Sequence, residues 1–253
     1  MPASTALRAR AIVAHAAAAA AVLIVASAGR SILGLGPWYM AKAFVPFVLM
    51  SMVCIALVAR THLFARYGAA NHVTLVRSTL VALLGGLIGE SATSAVSASA
   101  ASVSLVATAL DGMDGWLARR SGMSSAYGAR FDMETDSALV LVISILAWRH
   151  GKAGVWVVAC GLMRYAFVAG GMLMPWLAGP LQPTLRGKTV AAIQMAALSI
   201  VLLPMVDLRV GTAIAALALA TLTWSFAIDI ARLWRNKGGH EEFQPRRSRR
   251  SPM

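Results

Sequence analysis

The chain has 253 residues, is 58% hydrophobic and carries a formal net charge of +13. A mean hydropathy of +0.70 excludes an ordinary soluble domain. The basic residues are scattered over predicted helix ends and the C-terminal tail, with no aromatic-interleaved patch. That excludes nucleic acid as a partner and points to anionic lipid headgroups.

The apolar runs are continuous, rich in Ala and Leu, and do not alternate. Runs of about 20 such residues predict helices that cross a bilayer. The expected fold class is therefore all-α, a polytopic membrane helical bundle. Eight segments are predicted, at about 11–29, 38–60, 73–90, 93–118, 132–149, 153–177, 189–206 and 209–234. The first has a basic start and an Ala26-Ser27-Ala28 that suits signal cleavage, but the favoured reading is a retained helix. Residues 1–62 then form two extra N-terminal transmembrane helices, to which the sequence assigns no role. Residues 63–235 form a six-helix membrane domain. Residues 236–253 read as a basic, disordered cytoplasmic tail near anionic lipid.

With the N-terminus in the cytoplasm, Arg8, Arg10, Arg60, Arg66, Arg77, Arg119, Arg120, Arg130, Arg186, Lys188 and the cations from Arg232 onward lie inside. Only Arg30, Lys42, Arg149, Lys152 and Arg209 lie outside, the asymmetry expected of cytoplasmic loops. The fourth segment opens Thr93-Ser94-Ala95-Val96-Ser97-Ala98, small residues that favour close helix packing and a buried position. Cys54 and Cys160 fall inside predicted spans and read as packing residues without a disulfide. Trp38, Trp148, Trp156 and Trp176 fit interface anchors.

Half of the chain's ten acidic residues, Asp111, Asp114, Asp132, Glu134 and Asp136, fall in one window of 26. Asp111 and Asp114 share a helix face, as do Asp132 and Asp136. The polar turn from Arg120 to Tyr127 lets two helices bring four carboxylates together. Clustered carboxylates repel one another and require a positive partner. One reading is a solvated loop with salt bridges to Arg119, Arg120 and Arg130. The paired spacing favours a hard divalent cation, Mg²⁺ or Mn²⁺, held by oxygen ligands. No His or Cys lies in the window, which argues against zinc. Gly115 and Gly128 leave room for a bulky ligand near the backbone, and Arg119 sits one turn beyond Asp114 to meet a phosphate. Carboxylates within membrane segments also mark ion pathways, so a divalent-cation transporter is the alternative of another class.

Residues 111–136 fit the pattern D-x2-D-G-x2-A-R-x8-G-x3-D-x3-D without a substitution. This resembles the signature of the CDP-alcohol phosphatidyltransferases. Asn71, Thr74 and Arg77 resemble the family's motif at the start of its first core helix. Arg186-Gly187-Lys188-Thr189, followed by Gln194, resembles phosphatidylglycerophosphate synthase-like members. The resemblance implies transfer of a phosphatidyl group from CDP-diacylglycerol to an alcohol, with release of CMP. Glycerol 3-phosphate is the favoured acceptor, and inositol phosphate, serine or choline-type acceptors are the alternatives. It implies Asp111, Asp114, Asp132 and Asp136 as metal ligands and Asp136 as general base. Asn71, Thr74, Arg77, Gly115, Arg119, Ser125 and Gly128 match donor-binding positions. Family members are often dimers, so a homodimer is expected. A multi-pass protein of a bacterial inner membrane, with its site facing the cytoplasm, is the expected setting.

Arg164 interrupts an apolar span, and a charge there marks a functional candidate. Arg164, Arg186 and Lys188 are read as binding a phosphate on the acceptor. Asp229 is expected to pair with Arg232 or Arg235. His72 is read as a satisfied helix-start histidine.

Overall fold

The computed structural model describes residues 3–61, 66–121, 125–179 and 184–237. Every regular element among the described residues is helical. The α-helices are α1 (Ala3–Leu33), α2 (Tyr39–Thr61), α3 (Ala69–Gly86), α4 (Ser94–Ser121), α5 (Ala126–Arg149), α6 (Val158–Leu173), α7 (Leu185–Val201) and α8 (Leu208–Lys237). Short 3-10 turns precede and follow α6. Five helices, α1, α2, α4, α6 and α8, carry stretches long and apolar enough to cross a membrane. In α5 the four charges from Arg130 to Asp136 interrupt the apolar run, and α7 has only 17 residues.

The predicted segments are all present, with shifted ends. α5 begins at Ala126 rather than near 132, because Ser125 caps it: its hydroxyl accepts from the Gly128 N–H at 3.0 Å. Asp132 and Asp136 therefore lie inside the helix, Asp136 about 15 Å from its start at 1.5 Å per residue. α4 runs on to Ser121, so the connection is shorter than the turn expected from Arg120 to Tyr127. The predicted C-terminal tail beyond Lys237 lies outside the described residues.

α3 sits at the centre. It packs on α4 and α5, and the α1–α2 hairpin covers its other side. α4 also meets α7, α5 meets α6, and α7 pairs with α8. Cys54 and Cys160 are buried and free, as expected of packing residues. α1 is helical straight through Ala26-Ser27-Ala28. Its buried Leu7, Ala11, Val22 and Ala26 belong to the same hydrophobic core as Leu84, Leu139 and Leu198.

The two N-terminal helices are fastened to the rest at two levels. At the C-terminal end of α3, Glu90 receives the Gly36 N–H at 2.7 Å and the Lys42 ammonium at 2.5 Å. Lys42 also donates to the Ile88 carbonyl at 2.8 Å. Tyr39 lies against Gly86, where a Cβ would come within 2.7 Å of the ring, and its hydroxyl donates to the Leu83 carbonyl. At the N-terminal end of α3, His15 of α1 packs edge-on against Tyr67, with ring centroids 5.9 Å apart, and lies 6.2 Å from Phe131.

The Glu90 clamp makes stability depend on pH. Burial alone would raise the carboxyl, but the Lys42 ammonium and the Gly36 amide outweigh it and hold Glu90 below its ordinary value. A depressed carboxylate contributes stability that is present above its unfolded pKa, about 4.3, and is lost as pH falls through the folded value. Glu90→Gln should lower the melting temperature of the detergent-solubilised protein by about 2–4 °C at pH 7. The gap should begin to narrow below about pH 4 and close as pH falls through the folded value. A gap that persists there would show that the substitution acts by shape and not by charge.

Candidate active site

The site is assembled from three helices. Asn71, Thr74, Arg77 and Ser78 form one buried face of α3. Arg77 is 0% exposed. Its Nη1 lies 3.0 Å from Asp111 Oδ1 on α4 and 2.5 Å from Asp132 Oδ1 on α5. Its Nη2 donates to Asp136 Oδ1, and its Nε donates to the Ala107 carbonyl at 3.1 Å. A planar guanidinium suits this position, because its donors fan out in fixed directions to several oxygens at once. The salt-bridge reading looked to arginines of the connecting turn. The structure supplies the positive partner from a different helix.

Asp111, Asp132 and Asp136 each present one oxygen, all within 4.8 Å of one another, and each is partly exposed. Three ionised carboxylates against one guanidinium leave two negative charges, the charge of one divalent ion. Oxygen-only donors at this separation fit a hard cation, whose ligands lie about 2.0–2.6 Å from the metal. The residues present therefore fit a Mg²⁺-type ion. The side chains of Asp114, Gly115 and Arg119 lie outside the described residues, so the fourth expected ligand and two donor contacts are not placed.

The expected donor residues Asn71, Thr74, Ser125 and Gly128 stand together where α3 and α5 begin. Asn71 Nδ2 donates to the Tyr67 carbonyl at 2.5 Å. Its Oδ1 occupies the space beside Gly128, where a Cβ would sit 2.8 Å away. Here the missing side chain admits a neighbouring amide and brings two helices close. Thr74 donates to the Ala70 carbonyl at 3.1 Å, and Ser125 caps α5.

The three expected acceptor residues are not brought to one point. Arg164 Nη2 pairs with Glu134 at 2.9 Å, leaving its buried Nε without a hydrogen-bond partner. Arg164 lines a cavity of about 170 Å³ together with Asp136, Ser137 and Gln194, between walls that include Met133, Leu222 and Phe226. Arg186 pairs with Asp229 and lies over the Trp224 ring, 5.7 Å from its centre. Arg232 also pairs with Asp229, as expected, at 4.0 Å, and Arg186 is the nearer partner. The preference for Arg186 follows from packing: α7 and α8 lie side by side. Lys188 is exposed on the first turn of α7.

Two residues named in the sequence only as part of the acidic window and of the resemblance at 186–194, Glu134 and Gln194, become functional candidates. Glu134 orients Arg164. Gln194 is 1% exposed, and its amide has only the Cys160 thiol, a weak partner, within reach among the described residues. An amide inside an apolar segment is the signal that would have marked it.

Carboxylates gathered in a helical bundle beside a small cavity form a site that can hold a divalent cation next to a second ligand. The family model of CDP-alcohol phosphatidyltransferase matches residues 67–224, and the chain belongs to that family. Its members transfer a phospho-group from a CDP-alcohol, and this chain is an enzyme of that class. No curated protein and no solved structure matches the chain. Helices α1 and α2 lie ahead of the matched region.

Proposed function

We propose that the protein transfers the phosphatidyl group of CDP-diacylglycerol to a small alcohol, with glycerol 3-phosphate favoured, and releases CMP. The observation that carries this reading is the cavity that runs from the Asp136 carboxylate to Arg164 and Gln194. It joins the carboxylate centre to a chamber with incompletely paired polar groups, as a bound acceptor requires.

Asp111, Asp132 and Asp136, with Asp114 from the motif, would hold Mg²⁺ or Mn²⁺. When bound, the ion supplies charge neutralisation at the pyrophosphate. Arg77 orients the three carboxylates and fixes their spacing before any ligand arrives. Asn71, Thr74, Gly115, Arg119, Ser125 and Gly128 take the cytidine diphosphate. Asp136 accepts the proton of the acceptor hydroxyl, whose oxygen forms the new bond to phosphorus. The bond from that phosphorus to the CMP oxygen breaks, and CMP leaves with the electron pair. Arg164 meets the acceptor phosphate, and Gln194 orients its hydroxyls. Arg186 and Lys188 start α7 and attract the anionic acceptor toward the chamber. Residues 63–235 act as the catalytic unit in this reading, with the site facing the cytoplasm and the basic tail near anionic lipid. A homodimer is included on the strength of the family resemblance, and the mass of the protein in detergent tests it.

The direct test is release of CMP from CDP-diacylglycerol by purified protein, with labelled candidate acceptors offered in turn and the lipid product read by mass spectrometry. Metal-dependent release with glycerol 3-phosphate is expected. Divalent-cation flux in proteoliposomes without CMP release would refute the reading. The chamber makes a finer prediction. Gln194→Leu and Arg164→Gln should each raise the KM for the acceptor about 10-fold or more, the cost of one lost polar contact to a charged or hydroxylated ligand. The KM for CDP-diacylglycerol should stay within about 2-fold, well under the factor that one lost contact produces. Equal effects on both substrates would remove these residues from the acceptor site.

A further inference from the structure

A second, larger cavity of about 740 Å³ opens between α1 and the start of α3. It is distinct from the carboxylate centre. At 100° per residue, Asn71, Thr74, Arg77 and Ser78 occupy one face of α3, and Ala69, His72 and Val76 the opposite one. The first set is buried and the second exposed. Ala69 and His72 line this cavity.

The walls divide by chemistry. Arg10 from α1 and Arg66 ahead of α3 bring two guanidiniums, and no ion pair among the described residues engages either. Gly68, which also lines the cavity, is the N-cap of α3 and offers no side-chain cap, and the first turn has no acidic residue. The positive end of that helix dipole therefore adds to this side. Val13 and Ala14 of α1 make the other wall, which is apolar. Below them α1 presents an exposed apolar stripe that includes Val13 and Ile24, which share one face, on a helix long enough to cross the bilayer.

A positive floor beside an apolar, bilayer-spanning wall matches a molecule with an anionic head and hydrocarbon chains. We propose that this cavity binds the phosphodiester of an anionic phospholipid, with its acyl chains along the exposed stripe of α1. A free phosphate would use the arginines but leave the apolar wall bare. Arg10, Val13 and Arg66 all lie outside the region that the family model covers. The site thus joins a wall from the N-terminal hairpin to the first residues of the matched region. The bound lipid joins α1 to α3 at the end of the bundle where the donor motif begins.

The test uses the full chain in detergent, with phosphatidylglycerol and phosphatidylcholine as probes and native mass spectrometry as the readout. Wild-type protein should retain phosphatidylglycerol in preference to phosphatidylcholine. Arg10→Gln combined with Arg66→Gln should weaken that retention about 30-fold, the factor expected for two arginines facing an anionic surface. Arg10→Lys with Arg66→Lys should keep most of it, because the charge remains. Equal retention by the Gln variant and the wild type overturns the proposal. Displacement of the lipid by inorganic phosphate or CMP at matching concentration also overturns it, in favour of a soluble-anion site. If the Gln variant does not fold, the thermal stabilisation of wild-type protein by phosphatidylglycerol decides. It should weaken steeply from about 0.05 to 0.5 M salt as charges are screened, and a salt-independent effect counts against the site.

Discussion

Asp136→Asn is expected to reduce CMP release about 10³-fold or more without loss of folded protein. Loss of a general base costs about 10²–10⁴-fold by itself, and loss of a cation ligand adds to that. The amide keeps the size of the side chain, so the buried contacts of α5 persist. Asp132→Asn separates the two roles. Asp132 shares the Arg77 contact and the metal set but does not line the acceptor chamber. Its loss should be partly recovered by raising Mn²⁺, because only affinity for the ion is weakened. Asp136→Asn should not recover, since no added ion replaces the proton acceptor. The measurement is kcat against Mn²⁺ concentration for both variants with CDP-diacylglycerol as donor. Recovery of Asp136→Asn to near wild-type turnover would make Asp136 a ligand only, and the base would have to be sought elsewhere on the chamber wall.

Much of this centre is legible in the chain because its parts are local. Asp132 and Asp136 lie four apart, so helical periodicity alone puts them on one face. The same periodicity is silent about which helices meet. Arg77 is 34 residues before Asp111 and 59 before Asp136, and no spacing rule predicts that one guanidinium binds all three carboxylates. Arg186 and Asp229 are 43 apart, and a pairing guessed within one helix missed the neighbour across the α7–α8 contact. Gly128 shows a subtler limit. The sequence marks a place with no side chain, but only packing tells whether a ligand or Asn71 fills it. The bundle class was readable from hydropathy. The start of α5 was not, because Ser125 opens the helix in a stretch too polar to register as a span.

Arg77→Met should produce the largest change in stability of any single substitution at the centre, and its size should depend on metal. In metal-free protein the substitution leaves Asp111, Asp132 and Asp136 facing one another with no guanidinium between them. Breaking a buried pair costs about 3–5 kcal/mol when the remaining charge is uncompensated. These carboxylates keep 27–36% of their exposure, so the low end, about 3 kcal/mol, is expected. The net charge of the cluster moves from −2 to −3, which strengthens its attraction for a divalent ion. Added Mn²⁺ should therefore raise the melting temperature of Arg77→Met more than that of the wild type and recover part of the loss. Arg77→Lys should fall between them, because a single ammonium cannot span oxygens on two helices as the guanidinium does. Thermal unfolding with EDTA and with Mn²⁺, for the three proteins side by side, reads both effects. If Arg77→Met is as stable as the wild type in EDTA, the guanidinium is not what holds the carboxylates together. If it is destabilised but gains no more from Mn²⁺ than the wild type, the three oxygens do not form the cation's binding set.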